Sequence, residues 1–175
     1  LAPIDEDSEA QALGTIFHGS MERWHRRDMA IPVGQAINAI LEYIDGACPD
    51  RITDDRQRKI WHLARDMFLG YIKKYPSEAF DVVAVEKAFE SEIVNPETDH
   101  SSRTVMMRGK VDGIIVKDGK YYLIEHKSAS TIDGNYIDRF PMDFQIILYS
   151  DYIERFMNIR IAGILYNVVG KAQIK

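Results

Sequence analysis

Two apolar segments joined by Asp118-Gly119 most constrain how this chain can fold. They run over residues 105–117 and 120–128, and a two-residue Asp-Gly link between such segments is among the strongest local signals for a β-hairpin. The link also predicts the register, because Lys117 then faces Lys120 and each step from the turn pairs the next residue of either strand. The hairpin is therefore the point from which the rest of the chain can be placed.

Two acidic residues fall opposite each other in this register. Asp112 and Glu125 lie five positions from the turn pair, so their Cβ atoms are expected roughly 4.5–5.5 Å apart on one face of the sheet. Lys127 follows Glu125 by two residues and points to the same face. The apolar neighbours predict burial, and two buried carboxylates need compensation for repulsion and lost hydration. A divalent Mg²⁺ or Mn²⁺ ion would supply it; the alternative is a sheet edge where each acid has its own Arg or Lys partner.

Helical and strand patterns follow one another in a simple order along the chain. Apolar residues recur at three- and four-residue spacing in three segments before residue 78, which predicts three helices. Strands are expected over 81–94, 105–117, 120–128 and 160–169. A loop over 129–140 and a helix over 141–158 are expected before the last strand, because Pro141 suits the first turn of a helix.

This order, three helices followed by β-β-β-α-β, predicts an α/β fold with a mixed central β-sheet flanked by helices. We expect a single domain over residues 1–175, with a helical lobe over about 1–78 and a sheet core over about 79–175. Hydrophobic residues make up 46% of the chain, so a packed core is expected and a disordered chain is excluded.

Charge and cysteine content exclude several classes of protein. The net charge of −5 argues against a basic protein that coats nucleic acid, although local basic patches remain compatible with it. The single cysteine, Cys48, excludes a disulfide scaffold, a Cys-ligated iron–sulfur cluster and a Cys-based zinc finger. It fits a reducing compartment such as the cytoplasm. No apolar run approaches the ~18 residues that a membrane span needs, so no membrane partner is expected.

The segment GKVDGIIVKDGKYYLIEHKSAS resembles the core of the PD-(D/E)XK nuclease superfamily. The Asp, the hairpin and the Asp/Glu-x-Lys pattern fall on Asp112, Glu125 and Lys127. Val111 stands where the pattern often has Pro, which is a common departure. The resemblance implies a restriction-endonuclease-like αβββαβ core and metal-dependent hydrolysis of phosphodiester bonds.

Three further segments are similar to the RecB-type and phage-type exonucleases of this superfamily. GTIFHGSMERW resembles their Gly-xxx-His-xxx-Glu helix through Gly14, His18 and Glu22. QIILY resembles their Gln-xxx-Tyr helix through Gln145 and Tyr149, and AGILYNVVGK resembles the strand that follows. The matches come in the family's order and span residues 14–171.

The resemblance implies a role for each matched residue. One or two Mg²⁺ or Mn²⁺ ions would be held by His18, Asp112, Glu125 and the backbone carbonyl of His126. Lys127 would orient the attacking water or stabilise the transition state. For His18 the alternative is a packed or surface histidine.

Five other residues are candidates for supporting roles. Glu86 would bind a second metal or contact the helix that carries His18; the alternative is a strand-surface glutamate paired with Lys87 or Arg108. Gln145 and Tyr149, four residues apart on one helix face, would contact substrate or position the catalytic lysine. Glu22 is either a solvated acid or a supporting partner, and Arg108 is a candidate phosphate contact.

The expected activity is that of a DNA exonuclease in recombination, repair or phage DNA processing, in a bacterial or phage-infected cell. A homo-oligomer or a recombination-protein partner is compatible with this activity. Three alternatives remain: a non-catalytic nucleic-acid-binding module on the same fold, an endonuclease of the same chemistry, and an unrelated domain with a chance hairpin. The residues alone leave open the cleavage polarity, DNA against RNA, and single against double strands.

Overall fold

A computed structural model describes residues 6–47, 55–95, 97–98 and 100–171, so that Cys48 lies outside the described residues. The helices are Glu6–His25 (α1), Val33–Gly46 (α2), Asp55–Lys74 (α3), Gly134–Ile137 (α4) and Phe144–Met157 (α5). The strands are Asp81–Val94 (β1), Ser101–Lys117 (β2), Lys120–Ala129 (β3) and Ile161–Gly170 (β4). The predicted order is confirmed, and the bounds of β1 match the predicted ones. None of the helices in these ranges has the length and apolar character needed to cross a bilayer.

Within the described ranges, the strands form one four-stranded sheet in the order β1-β2-β3-β4. The first three strands are antiparallel neighbours. β3 and β4 run in the same direction, because the Tyr122 ring lies against Gly163 and the Lys171 N–H donates to the Ala129 carbonyl at 2.8 Å. Parallel neighbours need a long crossover, which α5 supplies. The predicted mixed sheet flanked by helices is therefore confirmed.

The hairpin between β2 and β3 has the predicted turn. Asp118 and Gly119 both have positive φ, 51° and 71°, as a type I′ turn requires at its two central residues. The pairs run from Lys117–Lys120 to Gly113–Ile124 in the predicted register.

The chain divides into two compact units. The first comprises Leu1–Glu78, His126–Ile132 and Asn167–Lys175, and the second comprises Ala79–Glu125 and Asp133–Tyr166. Strands β3 and β4 each contribute residues to both units. The single-domain organisation with a helical lobe and a sheet core stays a prediction.

The core of the first unit is formed by the apolar stripes of α1, α2 and α3. These are the stripes that the three- and four-residue spacing predicts. Its most deeply buried side chains are Phe17, Met21, Trp24, Ile44, Ala64 and Phe68.

Glu78 is buried in the same unit, between the ends of α1 and α3. Its Oε1 accepts hydrogen bonds from Trp24 Nε1 at 3.2 Å and from the Tyr71 hydroxyl at 2.5 Å. The Arg27 guanidinium lies 3.7 Å from Oε2. Burial, together with the hydrogen bond to Glu78, raises the pKa of Tyr71, so its hydroxyl stays protonated and keeps donating. These partners replace the hydration that the carboxylate loses.

The core of the second unit lies between the sheet and α5. It contains Phe89, Val111, Ile114, Leu123, Ile146, Tyr152 and Ile153. Ile114 and Leu123 in this set belong to the apolar runs of the predicted hairpin.

The connection between β3 and α5 differs from the prediction. The expected loop contains α4, whose N-cap Asp133 accepts a hydrogen bond from the Tyr136 N–H at 2.8 Å. Residues 140–142 form a 3₁₀ turn, and α5 begins at Phe144 rather than Pro141. The reason is local: the Asp143 side chain caps α5 by accepting from the Ile146 N–H.

Gly109 on β2 lies beneath two aromatic rings of the second core. A Cβ atom there would lie 2.8 Å from Cε1 of Tyr149 and closer still to the buried Phe89 ring. We expect Gly109→Ala to lower the free energy of unfolding by about 1–3 kcal/mol, the usual cost of overpacking. Urea denaturation will measure this.

Gly70→Ala is the matched control for this substitution. A methyl group at Gly70 on α3 meets open space among the described residues, so we expect a gain of about 0.5–1 kcal/mol from the helix. Equal stability of Gly109→Ala and the unmodified protein would contradict the close packing at Gly109.

Candidate metal centre

Glu86 and Asp112 face each other across the β1–β2 pair. Val85 pairs with Gly113 and Lys87 with Val111, which places the two acids opposite each other. Their carboxylate oxygens lie within 4.8 Å. Two part-buried carboxylates at this distance repel each other, so a cation beside them is stabilising.

Glu86 adopts an unusual backbone conformation, with φ of 50°. Non-glycine residues seldom occupy this left-handed region, and such strain is concentrated at functional sites. The side chain is only 11% exposed, and its carboxylate forms an ion pair with Lys110, whose side chain is 60% exposed. Its ion-pair partner is therefore neither Lys87 nor Arg108, the two cations considered from the sequence.

Gly113 and Ile124 form the last hairpin pair. Continued by one residue on each strand, the same register places Glu125 opposite Asp112. Both side chains are half-buried. Tyr166 on β4 is close to the same carboxylate: burial raises the pKa of Tyr166, and the charges of Asp143 and Glu125 raise it further. Negative charge is therefore concentrated around Asp112 and Glu125 in the second unit.

The side chain of His126 is buried in the first unit. Its Nδ1 lies 2.8 Å from Asn167 Nδ2, and its ring stacks on His25 with centroids 5.3 Å apart. These contacts hold the peptide between Glu125 and Lys127 in a fixed position, which suits a backbone carbonyl that acts as a ligand. Lys127 itself is half-buried.

His18 is also part of the first unit, half-buried on α1. Its ring centroid lies 6.4 Å from that of His126. Glu22, one turn further along α1, forms an ion pair with Arg26 at 3.0 Å. The structure thus brings His18 close to the residue whose carbonyl is a candidate ligand, and gives Glu22 a partner on its own helix.

Gln145 and Tyr149 share one face of α5, as predicted. The Gln145 Nε2 donates to the Tyr149 hydroxyl at 3.2 Å, and the Tyr149 ring packs edge-on against Phe89 at 5.2 Å. The Arg108 side chain is exposed and forms an ion pair with Glu90 at 2.9 Å.

A known family covers nearly the whole chain. The family model of the PD-(D/E)XK nuclease superfamily matches residues 1–173. The chain belongs to the PD-(D/E)XK nuclease superfamily. No curated protein matches it.

Among solved structures, the chain is similar to protein VC1899 from Vibrio cholerae. The match has a TM-score of 0.31 and 12% identity, which is too low to say anything about a shared fold or activity. It covers 90% of this chain and 42% of the other, so this chain spans less than half the length of that protein.

The side chains of the second unit fit the divalent metals that PD-(D/E)XK nucleases use. Glu86, Asp112 and Glu125 are hard oxygen donors, and the carboxylate oxygens of the first two lie within 4.8 Å of each other, so both can approach one ion. Mg²⁺ and Mn²⁺ prefer such donors. The chemistry of the donor set is therefore that of the superfamily.

Sequence reasoning missed several contacts around this site. Lys110 pairs with Glu86, Tyr166 lies beside Glu125, and Asn167 contacts His126. Tyr166 and Asn167 lie in the segment AGILYNVVGK, which resembles a strand of the superfamily. The position of that segment in the family order is the signal that could have found these two residues. Nothing in the sequence distinguishes Lys110 from the other basic residues of β2.

Proposed function

We propose that this chain is a Mg²⁺- or Mn²⁺-dependent nuclease that hydrolyses phosphodiester bonds of DNA. Its place would be as a RecB-type or phage-type exonuclease in recombination, repair or phage DNA processing in the cytoplasm, as a homo-oligomer or with a recombination protein. The observation that carries the proposal is the facing pair of Glu86 on β1 and Asp112 on β2, the strand that enters the Glu-x-Lys hairpin of a nuclease superfamily.

The proposed ligands come from four segments of the chain. Asp112, Glu125 and the His126 carbonyl form the set for one ion, with His18 as the nitrogen ligand. Glu86 serves the same ion or a second one. The His18 ring lies 6.4 Å from that of His126 on β3, the residue whose carbonyl is a proposed ligand. This proximity supports the assignment.

Each remaining residue has a role that follows from its charge and position. The bound cation activates water and offsets the charge that develops on the phosphate. Lys127 orients the attacking water or stabilises the negative charge of the transition state, a role that suits a compact single charge. Gln145 and Tyr149 contact the substrate strand or position Lys127, with Glu22 in support. Arg108 contacts a backbone phosphate.

Two other functions are compatible with the same fold. A non-catalytic nucleic-acid-binding module is disfavoured because Asp112, Glu125 and Lys127 are all present. An endonuclease would use the same chemistry, and the difference depends on whether the substrate channel accepts a strand without an end.

The proposed function is tested by digestion of linear, circular and single-stranded DNA, and of RNA, with Mg²⁺, Mn²⁺ or EDTA. We expect loss of linear DNA from its ends with either metal, and no loss with EDTA or with Asp112→Asn. Cleavage of circular duplex DNA would favour the endonuclease. Absence of any cleavage together with tight DNA binding would favour the binding module.

The metal preference provides a separate prediction for His18. An imidazole nitrogen shifts a carboxylate site towards softer transition metals, so we expect Mn²⁺ to support activity at a lower concentration than Mg²⁺. His18→Ala should remove much of that difference. The measurement is the metal concentration for half-maximal activity in both proteins, with His62→Ala, a histidine on α3, as the control. An unchanged Mn²⁺/Mg²⁺ ratio with activity intact would remove His18 from the site.

A further inference from the structure

Two large apolar side chains in the second unit are exposed at the start of α5. Met142 is 81% exposed and Phe144 is 74% exposed, and no aromatic side chain in the described ranges is more exposed than Phe144. By contrast, Phe140, two residues before Met142, is packed face to face on the Tyr166 ring at 4.1 Å. Exposed apolar side chains that lie together mark a binding surface more often than scattered ones do. We call Met142 and Phe144 the α5 patch.

The α5 patch is held next to the candidate metal centre. Asp143, between its two residues, caps α5 by accepting a hydrogen bond from the Ile146 N–H. Tyr166 and Glu125 directly precede Asn167 and His126, whose side chains lie 2.8 Å apart, so they occupy neighbouring positions on β4 and β3. Phe140 anchors the same segment through its stack on Tyr166. The patch is therefore presented by a segment that is fixed at both ends, a short distance from Glu125.

The neighbours of the α5 patch are polar groups that suit a nucleic-acid strand. Arg139 precedes the patch and Gln145 follows it, and both are exposed. A planar aromatic ring with a cation nearby is the arrangement on which unpaired bases stack. Bases inside a duplex are covered by their neighbours on both faces and cannot use such a ring.

We propose that Met142 and Phe144 bind the face of an unpaired base next to the phosphate that is cleaved, so that the chain prefers single-stranded or frayed ends to intact duplex. This rests on the proposed function, because it takes the substrate to be a nucleic acid bound at the proposed metal centre. A second protein is the alternative occupant. Two side chains flanked by Arg139 and Gln145 form a patch far smaller than the surface a stable protein interface buries.

The test compares binding to a short labelled oligothymidylate with binding to an abasic oligomer of the same length. The two probes share a phosphate backbone and differ only in the bases. Fluorescence anisotropy in Ca²⁺, with the length of each probe checked on a gel, measures affinity without relying on turnover. We expect the wild type to bind oligothymidylate more tightly, and Met142→Ala/Phe144→Ala to lose about tenfold on that probe alone.

Two variants make the result specific to stacking. Phe144→Tyr keeps a flat ring and should retain the affinity. Phe156→Ala removes a phenylalanine that is 49% exposed at the other end of α5 and should leave both affinities unchanged. A blunt duplex should bind the wild type and the double alanine variant equally.

The outcomes separate this inference from the proposed function. An equal affinity for the two probes in the wild type, or an equal loss on both in the variant, overturns the stacking role. The double alanine variant could instead keep the wild-type ratio of affinities for the two probes and show a changed oligomer mass by light scattering. That result would identify the patch as a protein contact and would also overturn the stacking role. The protein could also show the expected binding pattern but cleave no nucleic acid with Mg²⁺ or Mn²⁺. That result would support the stacking role and overturn only the nuclease assignment.

Discussion

Asp112→Asn or Glu125→Gln is expected to abolish cleavage and to leave the metal-free protein at least as stable as the wild type. Each substitution keeps the shape of the side chain and removes one negative charge from the proposed metal centre. The charge is needed to hold the cation, so activity with Mg²⁺ or Mn²⁺ should fall to background. In the metal-free protein the same charge is repelled by its neighbours, so its loss relieves repulsion. Cleavage assays and urea denaturation in EDTA measure the two effects.

Asp151→Asn is the matched control for these substitutions. Asp151 lies on the exposed side of α5 and forms a surface ion pair with Arg155 at 3.1 Å. Surface pairs of this kind contribute about 0–1 kcal/mol, so its activity should be unchanged and its stability equal or slightly lower. Turnover close to that of the wild type in Asp112→Asn or Glu125→Gln would contradict the assignment of these residues to the metal centre.

The acidic character of the chain gives the cation a second role. The net charge is −5, and Glu86, Asp112 and Glu125 add local negative charge where a phosphate is proposed to bind. Without a cation, such a cluster repels a nucleic-acid backbone. Substrate positioning and chemistry are therefore both expected to depend on the same bound ion.

The hairpin and its register could be predicted because they depend on local chemistry. Asp118 and Gly119 tolerate the positive φ values of the turn, and the turn fixes which residues pair along β2 and β3. The period of apolar residues likewise predicted α1, α2, α3 and β1. These features need no information about distant parts of the chain.

The role of Glu86 could not be derived in the same way. Its position opposite Asp112 depends on a register irregularity between Val82 and Ala84 and on its own φ of 50°. A one-residue shift in register would turn the side chain to the other face of the sheet. No glycine marks this irregularity, so a pattern of apolar residues cannot locate it.

The start of α5 shows a similar limit. The helix predicted from the sequence starts at Pro141, which suits a helix first turn, whereas Asp143 is the residue that caps it. In the structure residues 140–142 form a 3₁₀ turn, Asp143 caps α5, and Phe140 stacks on Tyr166. This contact joins residues far apart in the chain, and it sets the position of the α5 patch.

Lys127→Ala is expected to lower turnover by about a hundredfold or more while changing metal affinity little. The lysine is proposed to act on the attacking water or on the charge that develops in the transition state, and removal of one such electrostatic stabiliser typically costs 10²–10³ in turnover. It is not a proposed metal ligand, so Mn²⁺ binding by calorimetry should match that of the wild type. Lys120→Ala, an exposed lysine at the turn end of the same strand, is the control and should keep its turnover. A Lys127→Ala variant that loses DNA affinity but turns over bound DNA at the wild-type rate would make this lysine a simple phosphate contact, and the catalytic role would then have to move to another residue.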